Sequence, residues 1–229
     1  GTLYIVATPI GNMEDITHRA LRIFKEADVV FCEDTRNTRK ILSHYGIGTK
    51  TESYHAQSAD SKISRIIELL QDGKNIAYAT DSGTPGISDP SSMLVSRVRE
   101  VLGSSSVAAI PGPSALTAAV SIAGMPIDEF VFIGFLPHKK GRETLFKEIA
   151  TSARPFIFYE STHRIEKALQ SLHDHMVAVD SLRPVTIARE LTKMFEEVES
   201  LLPADHIARI EADPNKKKGE FVVLVPKRS

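Results

Sequence analysis

Four short segments rich in glycine, proline and small polar residues each follow an apolar run. They are Thr8-Pro9-Ile10-Gly11-Asn12, Glu33-Asp34-Thr35-Arg36, Thr80-Asp81-Ser82-Gly83-Thr84-Pro85-Gly86 and Pro111-Gly112-Pro113-Ser114-Ala115. Glycine lets backbone come close to a ligand and adopt positive φ, and proline holds a loop in shape with little disorder. Loops of that make-up suit a flat, polar cofactor. Any one of them is more readily a strand-ending turn, because glycine and proline punctuate chains everywhere. Four together point to a single ligand cleft, since loops leaving one edge of a parallel sheet converge outside it. Competing motifs are missing: there is no phosphate-binding G-x-x-x-x-G-K-[ST] and no dinucleotide G-x-G-x-x-G. Gly46-Ile47-Gly48 comes near, but Thr51 stands where the third glycine belongs and the stretch follows a helix. Metal chemistry is not expected either, because His173 and His175, two apart on a helix, point in different directions and no H-E-x-x-H occurs.

The loops need strands to hold them. Apolar runs predict strands over 2–7, 29–32, 75–79 and 107–110, alternating with helical periodicity over 16–27, 35–45, 58–71 and 90–102. Alternation of this kind implies crossovers and a largely parallel sheet. In the last of these helices Asp89 supplies a capping side chain and Pro90 the first helical position, while Met93, Leu94, Val98, Val101 and Leu102 recur at helical spacing. Past Gly124-Met125-Pro126 the pattern changes, with strands expected over 130–135, 156–159, 185–189 and 221–225 and helices over 142–151 and 163–173. A further strand is expected over 193–200, and Asn215-Lys216-Lys217-Lys218-Gly219 reads as a solvated turn. The expected architecture is α/β in two domains, 1–115 with the parallel sheet and 116–229 as a mixed α/β domain, with the cofactor cleft between them.

Composition narrows the classes. With 229 residues, 42% of them hydrophobic and 25% charged, the chain can bury a real core. A formal net charge of -1 excludes a uniformly basic nucleic-acid binder, though not a local basic patch. The single cysteine, Cys32, excludes an internal disulfide framework and fits a reducing compartment, so a soluble cytoplasmic protein is expected. No apolar run reaches bilayer-spanning length, and no secretion-type leader precedes the first strand.

Eight ordered motifs resemble the tetrapyrrole methylase superfamily, and within it the branch that methylates ribose 2′-hydroxyls of small-subunit ribosomal RNA. They are ATPIGNMEDIT (7–17), CEDTR (32–36), DSGTPGISDP (81–90), IPGPSA (110–115), GFLP (134–137), FYESTHR (158–164), RELTKMFEE (189–197) and KGEF (218–221), spread over nearly the whole chain. The resemblance implies two α/β domains with S-adenosyl-L-methionine between them. It places the methionine part of that cofactor near Pro9, Thr84, Ile87, Ser114 and Ala115, has Asp81, Gly83, Pro85, Gly86 and Gly112 shape the loops, and puts adenosine nearer Tyr159 and Ala188. It further implies a homodimer, and as acceptor a cytidine of 16S ribosomal RNA in an assembled or nearly assembled 30S particle. Two residues depart from the common family pattern: Ser82 where alanine is frequent, and Thr162 where proline is frequent. A small C-terminal segment common in the family is expected to be missing beyond Ser229, which would leave RNA affinity incomplete.

A ribose hydroxyl is a poor nucleophile while protonated, so a base is wanted, and Glu33, Asp34, His55 and Glu160 are candidates. Glu33 and Asp34 sit just past a strand on the inferred edge, with Arg36 able to hold a phosphate beside them. The competing reading is that Asp34 caps the following helix and Arg36 pairs with a neighbouring carboxylate. For RNA contact the basic residues His138, Lys139, Lys140, Arg142, Arg36, Arg39, Lys40, His163 and Arg164 could line one groove, ideally around single-stranded RNA. Rival functions are methylation of a cobalamin-precursor tetrapyrrole and a noncatalytic module binding S-adenosylmethionine or RNA.

Overall fold

The computed structural model describes residues 1–54, 59–87, 89 and 91–228. These gather into two compact units, Gly1–Ser114 and Ala115–Ser229. Among the described residues no helix is long and apolar enough to cross a membrane.

The first unit runs β1 (Leu3–Val6), α1 (His18–Glu26), β2 (Val29–Cys32), α2 (Thr35–His44), β3 (Thr51–Ser53), α3 (Ala59–Gln71), β4 (Ile76–Ala79), α4 (Ser91–Leu102) and β5 (Val107–Ile110). Its sheet has the order β3-β2-β4-β1-β5, and every pairing is parallel. Strands β2 and β4 are buried at every position, as strands covered on both faces must be, and so they read as unbroken apolar runs. Alternate side chains divide between two cores. Val6, Val30, Ala77, Ala79 and Ile110 join Ala20, Ile23, Phe24, Ile41 and Leu42 of α1 and α2, while Leu3, Val29, Phe31, Ile76 and Tyr78 join Ile63, Ile66, Leu70, Leu94 and Val98 of α3 and α4. Helix α4 buries a narrower stripe than its periodicity suggested: Met93 and Val101 are exposed. Its first amide, Ser91 N, donates to Asp89 Oδ1 at 2.7 Å, whereas Pro90 lies outside the described residues.

The second unit runs α5 (Ala115–Ile122), β6 (Val131–Phe135), α6 (Arg142–Thr151), β7 (Phe156–Ser161), α7 (Ile165–Ala178), β8 (Val185–Arg189), β9 (Glu197–Leu201), α8 (Pro203–Ala212) and β10 (Glu220–Val225). Its sheet, β6-β7-β10-β8-β9, pairs β6 with β7 parallel and the rest antiparallel. One face carries the core under α6, α7 and α8, centred on Phe146, Phe156, Phe158, Leu169, Leu172 and Val223.

Two sequence expectations are corrected here. Helix α7 begins at Ile165 and not at His163, because Arg164 N donates back to Ser161 O and closes a turn first, and it continues to Ala178 behind the buried Leu172 and Met176. The strand expected over 193–200 is β9, starting only at Glu197. Residues 190–196 fold instead into turns, with Lys193 N on Glu190 O, Glu196 N on Lys193 O, and positive φ at Glu190 and Thr192. The lysine run is a turn, as expected, built as a 3-10 segment over Pro214–Lys217 with Pro214, Asn215 and Lys218 exposed, and two of its lysines are paired: Lys216 meets Glu197 at 2.8 Å and Lys217 meets Glu166 at 2.7 Å.

Candidate functional site

Strand register brings the four loops of the first unit to one level. Cys32 lies beside Ala79, Ala79 beside Val6, and Val6 beside Ile110, so the chain leaves the sheet at Glu33, Thr80, Ala7 and Pro111 in a single row. At about 4.8 Å between strands, the row spans roughly 14 Å. The loops are stitched to each other by their own short side chains. Thr8 and Gly83 exchange two backbone hydrogen bonds, 3.0 and 3.1 Å. Thr8 Oγ1 donates to Thr80 O at 3.2 Å, Thr80 Oγ1 to Gly83 O at 3.1 Å, and Thr84 Oγ1 to Pro113 O at 2.9 Å. Glycine is required twice. Gly83 has φ of 81°, and a Cβ there would lie 3.2 Å from Ile10 Cγ2 and 3.5 Å from Pro113 O; a Cβ on Gly112 would lie 2.9 Å from that of Ala7. Pro9 and Pro85 are buried among these loops, while Asp81 and Gly86 are exposed and Thr84, Ile87 and Ser114 half-buried.

At the β2 end of the row the two acidic candidates separate by environment. Asp34 is the N-cap of α2: its Oδ1 accepts Arg36 N at 2.8 Å, and its carboxylate is gripped by the Arg36 guanidinium at 2.6 Å. Those hydrogen bonds hold its pKa down at about 2. Both halves of the capping reading are therefore met, and Asp34 and Arg36 are engaged with each other. Glu33 accepts no hydrogen bond among the described residues. Burial, first, and then the negative fields of Asp81 and Asp89 push its pKa up to about 7. A carboxyl poised there can take up or release a proton near neutral pH. Asp81 is fixed close by, because its Oδ1 accepts Asp34 N at 3.0 Å. His55 lies outside the described residues.

In the second unit the nominated residues fall on one sheet row. Tyr159 on β7 stands beside Val222 on β10, which stands beside Ala188 on β8, and directly opposed residues share a face. Ala115 opens α5, and the Tyr159 hydroxyl is hydrogen-bonded by the backbone at Leu116. Glu160 points to the other face and is buried at 1% exposure; Ser161 N donates to its Oε1 at 2.8 Å and Arg164 Nε lies 3.4 Å away. It is a structural carboxylate and no accessible base. The basic groove is also thinned. Arg164 donates to the carbonyls of Leu136 and Pro137, Arg142 to Pro137 O at 3.3 Å while stacking over Phe146, and Arg39 Nε to Thr51 Oγ1 at 2.9 Å. Those arginines hold the protein's own backbone and side chains. Thr162, the departure from proline, has a use: its Oγ1 donates to Gly219 O at 2.9 Å and accepts Gly219 N at 3.0 Å, tying two turns together.

Three contributors escaped sequence reasoning. Thr8 and Thr80 read as loop polarity, yet they are buried stitches. Asp89 read as a helix cap, yet it also accepts Gly86 N and raises the Glu33 pKa.

A parallel first sheet with four interlocked loops on one edge, and a mixed second sheet with its own helices, define a two-unit α/β protein. The chain belongs to the tetrapyrrole (corrin/porphyrin) methylases, whose family model matches residues 2–204. It is 45% identical over 224 residues to the ribosomal RNA small subunit methyltransferase I of Vibrio cholerae, an alignment covering 97% of this chain and 76% of that protein. It is 43% identical over 226 residues to the protein of the same name from Escherichia coli O157:H7, covering 98% of this chain and 77% of that one. Among solved structures, the methyltransferase CobJ matches with a TM-score of 0.70 at 19% identity, over 99% of this chain and 94% of that chain, a likeness of fold alone. The family resemblance and the α/β fold class expected from sequence are thereby borne out.

Proposed function

We propose that this chain transfers a methyl group from S-adenosylmethionine to the 2′-hydroxyl of a cytidine in 16S ribosomal RNA. The observation that carries this reading is the identity of 43% and 45%, along 98% and 97% of the chain, with proteins named ribosomal RNA small subunit methyltransferase I. S-adenosylmethionine, when bound, supplies an electrophilic methyl group. Support for its site comes from the loops: Gly83 and Gly112 leave out side chains that would crowd Ile10, Pro113 and Ala7, so the loops close on one another at the ends of their strands. On this reading Pro9, Thr84, Ile87, Ser114 and Ala115 contact its methionine part, Asp81, Pro85, Gly86 and Gly112 shape the wall, and Tyr159 and Ala188 meet its adenosine.

Glu33 is the proposed base. Its raised pKa leaves it ionised in a useful fraction near neutral pH and strong enough to accept the departing ribose proton. Asp34 and Arg36, bound to one another, position the start of α2 and offer the remaining guanidinium face to a phosphate. The acceptor is taken to be presented by an assembled or nearly assembled 30S particle, and the protein to work as a cytoplasmic homodimer; these follow the same family reading.

Incubating the purified chain with labelled S-adenosylmethionine and 30S subunits should label 16S ribosomal RNA, and mapping of ribose methylation should find one cytidine. Label appearing only with a tetrapyrrole acceptor, or binding of the cofactor without turnover, overturns the reading. A second expectation follows from Asp81. Asp81→Asn keeps a carbonyl oxygen for Asp34 N but removes a negative field from Glu33, so the rising limb of the pH profile of kcat/KM should move to lower pH. An unmoved limb would mean that Glu33 does not set it.

A further inference from the structure

We propose that the Phe135 ring is the platform on which a nucleobase of the acceptor RNA stacks, with Lys139 and Lys140 taking the flanking phosphates. This rests on the acceptor being RNA. Large apolar side chains are normally withdrawn from water when a sheet can cover them, but Phe135 is 55% exposed. Its position is not accidental slack at a strand end. Between Phe132 and Phe135 the β6–β7 register shifts, and Gly134 takes a φ of 62°. Such a bulge re-aims the side chain that follows it. The result seats Phe135 against Tyr159, ring centroids 5.5 Å apart at 62°, with Phe132 on the same tyrosine at 5.1 Å and 70°. The ring is thus fixed by its edge contacts, and more than half of it faces solvent.

The segment behind the ring is anchored with unusual care. Arg164 and Arg142 both spend donors on the carbonyls of Leu136 and Pro137, and Arg142 N closes a turn onto Lys139 O at 3.2 Å. Leu136 is buried in the core at 1% exposure. Two arginines that could have faced a phosphate instead fix the backbone between the aromatic ring and the next basic residues. Past that anchor His138, Lys139 and Lys140 are exposed, and neither lysine has an ion-pair partner among the described residues. A rigid, exposed aromatic ring followed within five residues by unpaired cations is the pairing that single-stranded nucleic acid uses: bases stack on the ring and phosphates meet the cations. A purely apolar partner would leave the lysines desolvated without compensation, and an anionic small molecule would have no use for the ring.

The test compares wild type with Phe135→Leu and Phe135→Trp, full-length chain in each case. An oligocytidylate of about nine nucleotides, within the range single-strand sites cover, carries one fluorescent cytidine analogue. Stacking of one base contributes about 1–3 kcal/mol, so Phe135→Leu should weaken oligonucleotide binding roughly 5- to 150-fold. It should raise KM for 30S subunits with little change in kcat, and leave S-adenosylmethionine affinity within about twofold; Phe135→Trp should restore the affinity and quench the analogue. Lys139→Gln with Lys140→Gln should reduce the salt dependence of binding. Wild-type affinity of the leucine variant overturns the proposal. So does a parallel loss of S-adenosylmethionine affinity, which assigns the ring to the cofactor, and so does failure of tryptophan to restore binding. Phe135-dependent oligonucleotide binding by a wild-type chain that methylates no ribosomal RNA would sink the catalytic reading and leave this one standing.

Discussion

Glu33→Gln should lower the rate of methyl transfer to 30S subunits by about 100- to 10,000-fold, the range in which a positioned general base contributes, while S-adenosylmethionine still binds. The amide is nearly the size of the carboxyl and accepts no proton. In the wild type kcat/KM should climb as pH rises through about 7, where burial and the charges of Asp81 and Asp89 set the Glu33 ionisation, and the climb should vanish in the variant. Stability offers an independent check. The folded pKa of this acid lies above its ordinary value of 4.5, so the folded state holds the proton more tightly than the unfolded state does. Ionising Glu33 therefore costs stability, nothing below about pH 4.5 and the full amount above about pH 7. Glu33→Gln removes that cost, and its Tm should exceed that of wild type at pH 8 by a margin that closes by pH 4.5. Asp34→Asn should behave differently. Asparagine still caps α2, so the fold should hold, but the grip on Arg36 is lost and transfer should fall by a smaller factor than in Glu33→Gln. Equal single-turnover rates for wild type and Glu33→Gln would remove the carboxyl from the chemistry.

The reach of sequence reasoning here follows from what each residue buries. Strands β2, β5 and β8 were legible to the residue because each is a short run of mostly β-branched and small apolar side chains with sharp ends, although only β2 is buried at every position. Strand β3, three residues reading Thr-Glu-Ser, was not, because it borders the sheet and carries polar side chains, with Glu52 meeting Lys50 and Arg65 at 3.0 and 3.1 Å. Helices α5 and α8 were missed for other reasons: Ala115–Ile122 is apolar nearly all round and so lacks a periodic stripe, and Pro203–Ala212 begins at a proline that reads equally well as a break. At the candidate site, the convergence of four loops followed from parallel alternation alone. What sequence left open was which acidic residue is committed: Asp34 and Glu33 are adjacent and chemically alike, and only the first helical turn of α2 and the buried end of β2 tell them apart. The arginines show the same limit. Arg142 and Arg164 count as positive charge in a sequence, but their donors face the carbonyls of Leu136 and Pro137, five residues away for Arg142 and 27 or 28 away for Arg164.

Gly83→Val should cost about 3 kcal/mol of folding stability and abolish measurable cofactor binding at concentrations that saturate wild type. Two separable terms add. A side chain forced to φ of 81° pays steric strain of about 1–2 kcal/mol, and crowding in a packed site adds about 1–3 kcal/mol. For a chain of this size the sum lowers Tm by on the order of 10 °C. A neighbouring glycine isolates the first term. Gly73, after α3, has the same φ of 81° but nothing within 4 Å of its would-be Cβ, so Gly73→Ala carries backbone strain alone and should leave S-adenosylmethionine binding intact. Gly83→Ala adds contacts of 3.2 Å to Ile10 and 3.5 Å to Pro113, pushing on two of the four loops at once, because Gly83 is hydrogen-bonded both ways to Thr8 and Thr84 to Pro113. Its loss of affinity should therefore exceed its loss of stability, measured against Gly73→Ala. If the two alanine variants fall by the same amount in Tm and both bind S-adenosylmethionine like wild type, the loop after β4 serves the fold only and the cofactor lies elsewhere.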